Sequence, residues 1–298
     1  MGATPNRIAE LARQHPTAIR QLESRAIQEA ARPLAQALTA AQQEATAHWL
    51  RATASQRPPS PGALDQLVEA IKQLLARAFR NAGAQARRTA ERAALNAALL
   101  GAEQAAHIAR TMRDQPTPNA RPQPPGWRGS LAGPQAQAAA DSLPAAIEEE
   151  HHHALALLTA AGLTALGLAG LTTVFNRARR AVTRIARAVA VAVTSGAAAG
   201  ATTVARAIGP AVRLLWVAEP GACEACAAYA GRSVLPGRKF PGGLSLNPKR
   251  TVFPTPIYGP PRHPHCRCAL IPWLPEWHTG GTPLPDLLRQ RTSSARRP

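Results

Sequence analysis

The sequence predicts a mainly α-helical protein, in which long helices rich in alanine, leucine and arginine precede a small, loop-rich C-terminal module with short strands. Two observations predict this fold class. Alanine dominates the first two hundred residues, where larger apolar residues recur at helical spacing. From residue 210 onward the composition changes, because this part holds 15 of the 28 prolines, 7 of the 11 aromatic residues and all four cysteines.

These shifts in composition divide the chain into five segments. We expect an N-terminal helical region over 1–114, a Pro/Gly-rich linker over 115–140 and a basic and apolar helical region over 141–209. A cysteine- and histidine-bearing module over 210–277 and a disordered basic tail over 278–298 complete the chain.

The clearest helix of the first region begins after the sequence RPPSP. Ser60 is suited to the N-cap and Pro61 to the first helical position. Pro16 and Pro33 interrupt the earlier part of the region. The apolar residues after Pro61 follow three-four spacing and predict one buried stripe: Leu64, Leu67, Val68, Ile71, Leu74, Leu75 and Phe79.

The basic and apolar region also opens with a helix start, in which Ser142 is suited to the N-cap. The run His151–His153 indicates a solvated helix face. Residues Ala154–Asn176 then include no charge over 23 positions, a length that would cross a bilayer. Threonines and alanines dilute this run, so packing within the protein or against a second copy is favoured over membrane insertion.

The chain is strongly basic, with 35 Lys and Arg against 17 Asp and Glu and a net charge of +18. This charge favours a polyanionic partner such as nucleic acid, an acidic protein surface or anionic lipid. The excess of arginine over lysine by itself is also what a GC-rich genome would produce. Between His151 and Ala218 there are seven arginines and no acid. Five of them form the predicted DNA-backbone contact: Arg177, Arg179, Arg180, Arg184 and Arg187.

Several classes of protein are excluded by composition. Four cysteines are too few for a disulfide-stapled secreted scaffold of this length, and 45% hydrophobic residues are too many for a wholly disordered chain. The N-terminus has no apolar core of a secretory signal. We therefore expect a reducing compartment, where closely spaced cysteines are more often metal ligands than disulfides.

The cysteines form the most specific pattern in the sequence. Cys223 and Cys226 are a Cys-x-x-Cys pair, and after a further 39 residues Cys266 and Cys268 follow, within the sequence His263-Pro-His-Cys-Arg-Cys. Two thiolates at this spacing can bind one zinc ion. Its tetrahedral coordination would be completed either by His263 with Cys266 or by Cys266 with Cys268. Because a closed site with four protein ligands has no open position, such a zinc would be structural.

Other uses of these cysteines lack their sequence context. A redox Cys-x-x-Cys needs a thioredoxin-like βαβ pattern, and a zinc deaminase needs a His-x-Glu that the chain does not contain. The acids near the cysteines are Glu219, Glu224 and Glu276, and no paired carboxylates or Ser/His/Asp set accompanies them. We therefore expect a protein that is not an enzyme.

The same residues resemble a known family. RLLWVAEPGACEACAAYAG (213–231) and GPPRHPHCRCALIP (259–272) resemble the C-terminal signature of tailed-phage minor head proteins of the phage Mu F-like head-morphogenesis family. Cys223, Cys226 and Gly231 match the first half of the signature, and His263, Cys266, Arg267 and Cys268 match the second. The WVAE sequence and the Pro272-Trp273 exit resemble members from phages of GC-rich actinobacterial hosts.

The resemblance implies a phage minor capsid protein that associates with the portal and procapsid during head assembly. Such a protein would be assembled in the bacterial cytoplasm, would lie in the capsid interior or at the portal vertex, and would contact packaged double-stranded DNA without sequence specificity. The family pattern favours Cys223, Cys226, His263 and Cys266 as ligands of a structural Zn²⁺, with Cys268 as a substitute or neighbour. The alternatives are a membrane-active DNA-ejection protein and a zinc-dependent hydrolase or head-maturation protease.

Overall fold

A computed structural model describes the protein over residues 5–54, 60–113, 132–247, 249, 253–277 and 282–294. Within these residues it has nine α-helices and three β-strands. The predicted fold class is confirmed, because long helices dominate, and short antiparallel strands and the Cys/His cluster lie in the C-terminal part of the chain.

Seven helices precede the first strand, and one short helix and one C-terminal helix follow it. The helices are α1 Pro5–Ala52, α2 Pro61–Phe79, α3 Ala82–Arg113, α4 Gly133–Asp141, α5 Leu143–Leu157, α6 Ala160–Ala178, α7 Arg180–Ile208, α8 Glu224–Ala227 and α9 Leu284–Ser294. The strands are β1 Arg213–Val217, β2 Ser233–Val234 and β3 Ala269–Trp273.

The chain divides into two compact units, each built from stretches that are distant in sequence. Unit 1 comprises Met1–Arg25, Ala90–Ala139 and Val189–Pro298, and unit 2 comprises Ala26–Thr89 and Ala140–Ala188. The strands, α8 and α9 belong to unit 1, and α2, α5 and α6 belong to unit 2.

Helix α1 corrects the expectation that prolines interrupt the start of the chain. It runs without a break through Pro16 and Pro33. Each proline removes one backbone hydrogen bond, but apolar residues on both sides of it are buried, among them Ile8, Ile19 and Leu34. In helices of this length, tertiary packing of the apolar face contributes more than local propensity, so the helix continues.

Helix α2 begins where the sequence predicts. The Ser60 side chain accepts a hydrogen bond from the Ala63 amide at 3.3 Å, and proline occupies the first turn. All seven residues of the predicted apolar stripe, from Leu64 to Phe79, are buried. In unit 2 this stripe packs α2 against α5 and α6.

In unit 1, α3 and α7 approach each other more closely than ordinary side chains permit. A Cβ atom on Gly200 would overlap the Ala98 carbonyl oxygen, and one on Gly196 would overlap the Ala94 carbonyl oxygen. A Cβ atom on Gly101 would likewise overlap the Ala197 carbonyl oxygen. Three glycines thus face the partner backbone across this crossing, which explains how two helices with small side chains still pack tightly.

Helix α5 differs from the prediction in two respects, the capping of its first turn and the exposure of its histidines. Ser142 occupies the N-cap position of α5 but makes no capping hydrogen bond. His151 is buried and stacks on Phe79 with ring centroids 4.6 Å apart, whereas His152 and His153 are exposed. The first histidine of the run faces the core of unit 2 because it falls on the apolar side of the helix.

The C-terminal module is organised by a three-stranded antiparallel sheet in the order β2-β1-β3. Its apolar core centres on Trp216, whose ring centroid lies 4.8 Å from that of Tyr229 and 5.2 Å from that of Phe240. The buried cysteines Cys226 and Cys266 belong to the same core cluster. Three aromatic residues of the C-terminal part of the chain therefore build one local core.

Two segments that were expected to lack regular structure contain helices. The predicted linker lies partly outside the described residues, which resume at Ala132, and its last part forms α4 from Gly133. The tail predicted to be disordered contains α9, in which Leu284 and Leu288 are buried. Because these leucines are four residues apart, they lie on one helical face and anchor the segment.

Candidate metal centre

The sheet brings the two cysteine-bearing segments together. Strands β1 and β3 are antiparallel, and Val217 at the end of β1 pairs with Ala269 at the start of β3. The residues that follow β1 and those that precede β3 therefore leave the sheet at the same end of these two strands. This pairing places the Cys-x-x-Cys pair beside the later histidine and cysteines, although 39 residues separate Cys226 from Cys266 in sequence.

The first pair is held by the short helix α8. Cys223 is the N-cap of α8, and its Sγ accepts a hydrogen bond from the Cys226 amide at 3.5 Å. Cys226 is buried and Cys223 is exposed. The turn thus points both sulfur atoms toward the same side of α8.

The second segment is held by a tight turn. His265 has a φ of 64°, and the Cys266 amide donates to the His263 carbonyl oxygen at 3.1 Å. His263 Nδ1 lies 2.8 Å from the Pro264 carbonyl oxygen, so the proton of the neutral ring resides on Nδ1. This hydrogen bond leaves Nε2 free to bind a metal ion.

Five side chains form two overlapping groups of ligand atoms. Cys223, Cys226 and His263 form one group, and Cys226, Cys266 and Cys268 form the other, with all ligand atoms of a group within 4.8 Å of one another. Cys226 belongs to both groups, which makes it the central ligand. Each of these clusters can hold a metal ion.

The separations between ligand atoms fit tetrahedral coordination. His263 Nε2 lies 3.3 Å from the sulfur atoms of both Cys223 and Cys226, and the sulfur atoms of Cys226 and Cys266 are 3.6 Å apart. A metal–sulfur bond of about 2.3 Å implies ligand separations of roughly 3.8 Å in a tetrahedron. A small contraction or expansion around an ion would therefore complete the site.

The protonation of the cluster shows a concentration of negative charge. Hydrogen bonds with Cys226 and His263 lower the pKa of Cys223 to about 4, and the hydrogen bond with Cys223 raises the pKa of His263 to about 9. The hydrogen bond with Cys226 also lowers the pKa of Cys266. Cys226 lies between these two sulfur atoms, which raise its own pKa. A dication would relieve this repulsion, since thiolates are the form that binds metal.

A network of ion pairs surrounds the ligands. Arg267, between Cys266 and Cys268 in sequence, pairs with the buried carboxylate of Glu23 on α1. The Arg267 amide also donates to Glu219 at 3.2 Å. His265 lies outside both ligand groups and faces Glu23 at 3.2 Å.

Glu23 is not among the site residues predicted from the sequence, although the sequence contains one signal for it. Glu23 falls between Ile19 and Ala26 on the buried stripe of α1, where a carboxylate is out of place. A charged residue on an apolar stripe indicates a buried partner. The identity of that partner, Arg267, follows only from the tertiary structure.

A buried arginine supports the loop between α8 and the second ligand segment. Arg262 donates to the carbonyl oxygens of Phe253 and Thr255. Its guanidinium also lies 5.7 Å from the centroid of the Tyr229 ring. Because Arg262 directly precedes His263, these contacts position the first residue of the ligand segment.

Two of the five arginines predicted to contact DNA are engaged with a buried acid of unit 2. The carboxylate of Glu150 is buried, and it pairs with Arg177 at 3.0 Å and with Arg184 at 3.1 Å. These cations compensate the charge of a buried acid and join α5 to α6 and α7 within unit 2.

The other three predicted arginines differ in their contacts. Arg179 donates to the Gln42 side-chain oxygen at 2.6 Å. Arg180 and Arg187 are exposed, and among the described residues no ion pair is recorded for either. These two are therefore the members of the predicted set that are most available to an external anion.

The uncharged run Ala154–Asn176 covers the C-terminal end of α5 and most of α6. By length and composition, the helical stretch Ala160–Ile208 is apolar enough to cross a membrane, and most of its apolar window is buried within the protein. Core helices of soluble proteins have the same properties. Gly167 interrupts the helical geometry of α6 with a φ of 54°, and Leu166 and Leu168 on either side of it are exposed.

Comparison of the chain with known proteins finds no matching family model, curated protein or solved structure. The family resemblance therefore rests on the residues of the Cys/His signature.

Proposed function

We propose that this chain is a structural minor head protein of a tailed phage, of the phage Mu F-like type, which associates with the portal and capsid proteins during head assembly. One observation carries the proposal: the residues of the signature, far apart in sequence, converge on one cluster of ligand atoms. Convergence supports a shared role for these residues, which an accidental match in sequence would not require.

The proposed metal is a structural Zn²⁺ bound by Cys223, Cys226, His263 and Cys266, with Cys268 beside them. Sulfur and imidazole donors in a tetrahedral arrangement favour zinc over hard cations such as magnesium. A bound zinc ion would cross-link the segment that carries Cys223 and Cys226 to the segment that carries His263 and Cys266. The free energy of metal binding would therefore contribute to folding of the C-terminal module.

The proposal assigns no catalytic role to this centre. A metal-dependent hydrolase needs an open coordination position and a positioned base. The acids beside the ligands, Glu23 and Glu219, are paired with Arg267 and Arg20, which supports a role in holding the ligand segment. A rate of peptide or phosphodiester hydrolysis that requires zinc and is lost on removing Glu219 would contradict this assignment.

Assembly tests the proposed function directly. The full chain is expressed with the portal and major capsid proteins of the phage that encodes it, and procapsids are purified by sedimentation. We expect the chain in these particles at low copy number, and we expect Cys226→Ser to reduce its incorporation. Procapsids that form with wild-type composition of the other proteins but exclude the chain would overturn the proposal.

We further propose that Arg180 and Arg187 contact the backbone of packaged duplex DNA. Their exposure supports this choice from among the five arginines of the region. Binding of the chain to duplex DNA should weaken with salt, and the R180A/R187A variant should show a smaller salt dependence by about 1.8 in log–log slope. An unchanged slope in this variant would place the DNA contact elsewhere.

One observation favours a second candidate function, contact with a membrane during DNA ejection. Leu166 and Leu168 of α6 are exposed within a run of 23 uncharged residues, and the exposed cation Arg180 follows that run at the start of α7. Exposed leucines beside cationic side chains suit the interface of an anionic bilayer. In a flotation assay with anionic vesicles, the second candidate predicts binding that L166S/L168S abolishes, and equal flotation of this variant contradicts it.

A further inference from the structure

Unit 1 contains a cleft that belongs to neither the metal centre nor the arginines of unit 2. Its volume is about 530 Å³, and it lies between the end of α8, β2, the loop around Ser245, and α9. Alanines and leucines form its apolar part, while Arg232 and Arg289 stand at its exposed edge. A cleft of this size accommodates a group as large as a nucleotide.

The polar groups of this cleft are donors. Arg232 uses its Nε on the Ala228 carbonyl oxygen, which leaves its two terminal nitrogens for a ligand. Arg289 pairs through one terminal nitrogen with Asp286, one turn away on α9, at 3.2 Å. Among the described residues that line the cleft there is no carboxylate. The lining therefore favours an anionic ligand.

Two serines reinforce this preference because their oxygens already accept hydrogen bonds. Ser233 Oγ accepts from Arg213 Nε at 3.0 Å, and Ser245 Oγ accepts from the Asn247 amide at 3.1 Å. A hydroxyl group that accepts from within the protein still has its own proton to donate. Both serines can thus donate to an acceptor in the cleft.

Close packing brings the segment that carries Arg232 against α9, which carries Arg289. Gly231 has a φ of 69°, and a Cβ atom there would overlap the Pro285 carbonyl oxygen of α9. The same Cβ would lie 3.1 Å from Cγ of Arg289. The absence of a side chain at Gly231 therefore lets α9 lie against the residue that precedes Arg232.

We propose that this cleft binds the sugar-phosphate backbone of a single nucleic-acid strand. The two arginines neutralise phosphates, the two serines donate to phosphate oxygens, and the leucines contact the sugars. Donors of this kind recognise phosphate without reading the bases, so binding is independent of sequence. The proposal goes beyond the role in head assembly and concerns a different surface from Arg180 and Arg187.

The test measures fluorescence anisotropy of a labelled short oligothymidylate with the full chain over a range of salt concentrations. For R232A/R289A we expect affinity to fall by about tenfold or more and the log–log salt slope to decrease in magnitude by about 1.4, since two contacts to a single strand are lost. The matched control R32A/R110A removes the same charge from two exposed positions outside the cleft, and we expect it to bind within about twofold of wild type. Wild-type affinity in R232A/R289A, or an equal loss in the control, overturns the proposal.

Neutral substitutions test the hydroxyl donors separately from charge. S233A/S245A should weaken binding by about five- to 150-fold through loss of two hydrogen bonds, with the salt slope unchanged. Wild-type affinity of this variant overturns the assignment of the serines. Competition then tests whether the cleft binds an extended backbone or a single phosphate group. An unlabelled mononucleotide and the unlabelled strand are compared as competitors at equal phosphate concentration. Equal displacement of the probe by the two competitors overturns binding of an extended backbone. Circular dichroism and metal content of each variant establish that it is folded.

Discussion

Arg267 donates two hydrogen bonds to the carboxylate of Glu23, from Nε at 2.9 Å and from a terminal nitrogen at 3.1 Å. Arg267 lies between two cysteines of the metal centre, whereas Glu23 lies on α1, 244 residues away in sequence. Glu23 is 1% exposed. The pair therefore fixes the first part of α1 to the ligand segment within unit 1.

We expect Glu23→Leu to lower the free energy of unfolding by about 3 kcal/mol, because it leaves the Arg267 guanidinium partly buried beside an apolar group. The measurement is urea unfolding of the full chain. Arg20→Leu is the control, since Arg20 pairs with Glu219 at 3.0 Å but is 51% exposed. We expect that variant to lose less than about 1 kcal/mol. Equal losses in the two variants would show that the Glu23–Arg267 pair contributes no more to the free energy of unfolding than the exposed Arg20–Glu219 pair does.

The shared position of Cys226 predicts unequal effects of cysteine substitutions. Cys226→Ser removes a ligand from both groups, so we expect the purified chain to lose its metal. Cys268→Ser removes a ligand from one group, and we expect one metal ion per chain to remain. Elemental analysis of the purified proteins checks both outcomes.

Chelation provides an independent measure of the same site. Removing the metal should lower the unfolding temperature of wild type and of Cys268→Ser, and should leave Cys226→Ser unchanged. Loss of metal from Cys268→Ser, with full retention in Cys223→Ser, would instead assign the ion to the buried group of three cysteines.

The helix crossing in unit 1 predicts sensitivity to a single methyl group. Gly200→Ala places a Cβ against the Ala98 carbonyl oxygen, so α3 and α7 must separate, and we expect a loss of about 2 kcal/mol or more. Gly62→Ala is the matched control, because a Cβ at that exposed position of α2 meets nothing within 4 Å. It should raise stability by up to about 1 kcal/mol through helix propensity. Thermal unfolding monitored by circular dichroism measures both, and a neutral Gly200→Ala would contradict the close crossing.

Burial of His15 predicts a dependence of stability on pH. Burial, and secondarily the charge of His107, lowers the pKa of His15 from 6.5 to about 4. The unfolded chain therefore takes up a proton on His15 at a higher pH than the folded protein does. The stabilisation from neutral His15 is complete above about pH 6.5 and decreases as pH falls toward 4, by about 3 kcal/mol in total.

Metal binding by the Cys/His cluster would also depend on pH, so His15 is assessed by difference. The free energy of unfolding of wild type minus that of His15→Leu should fall by about 3 kcal/mol between pH 7 and pH 4, since loss of metal affects both proteins equally. A difference that stays constant over this range would show that His15 does not titrate as a buried neutral group.

Much of the local structure follows from short-range patterns. The cap and stripe of α2 could be predicted because they depend on residues within one or two turns. The cysteines and His263 could be grouped because few residue types bind metal and their spacing is characteristic. The continuity of α1 through Pro16 and Pro33 could not be predicted, because packing of its buried face outweighs the local effect of proline.

The charged residues show where prediction from sequence ends. Seven arginines without an acid between His151 and Ala218 indicate a basic surface, yet Arg177 and Arg184 pair with Glu150, just outside that span. Whether an arginine is available depends on neighbours from other helices. Net charge therefore indicates the class of partner, while the location of the contact depends on packing.

The sequence by itself determined the helical class of this protein, the change in character near residue 210 and the set of residues able to bind a metal ion. These features depend on periodicity, composition and side-chain chemistry, which can be read from adjacent residues. Only the tertiary structure decided that Cys226 is common to both ligand groups, that Glu23 faces Arg267, and that α9 closes a cleft lined by donors. Those relationships join residues far apart in the chain, and the packing of β1 against β3 and of the helices in unit 1 brings them within bonding distance.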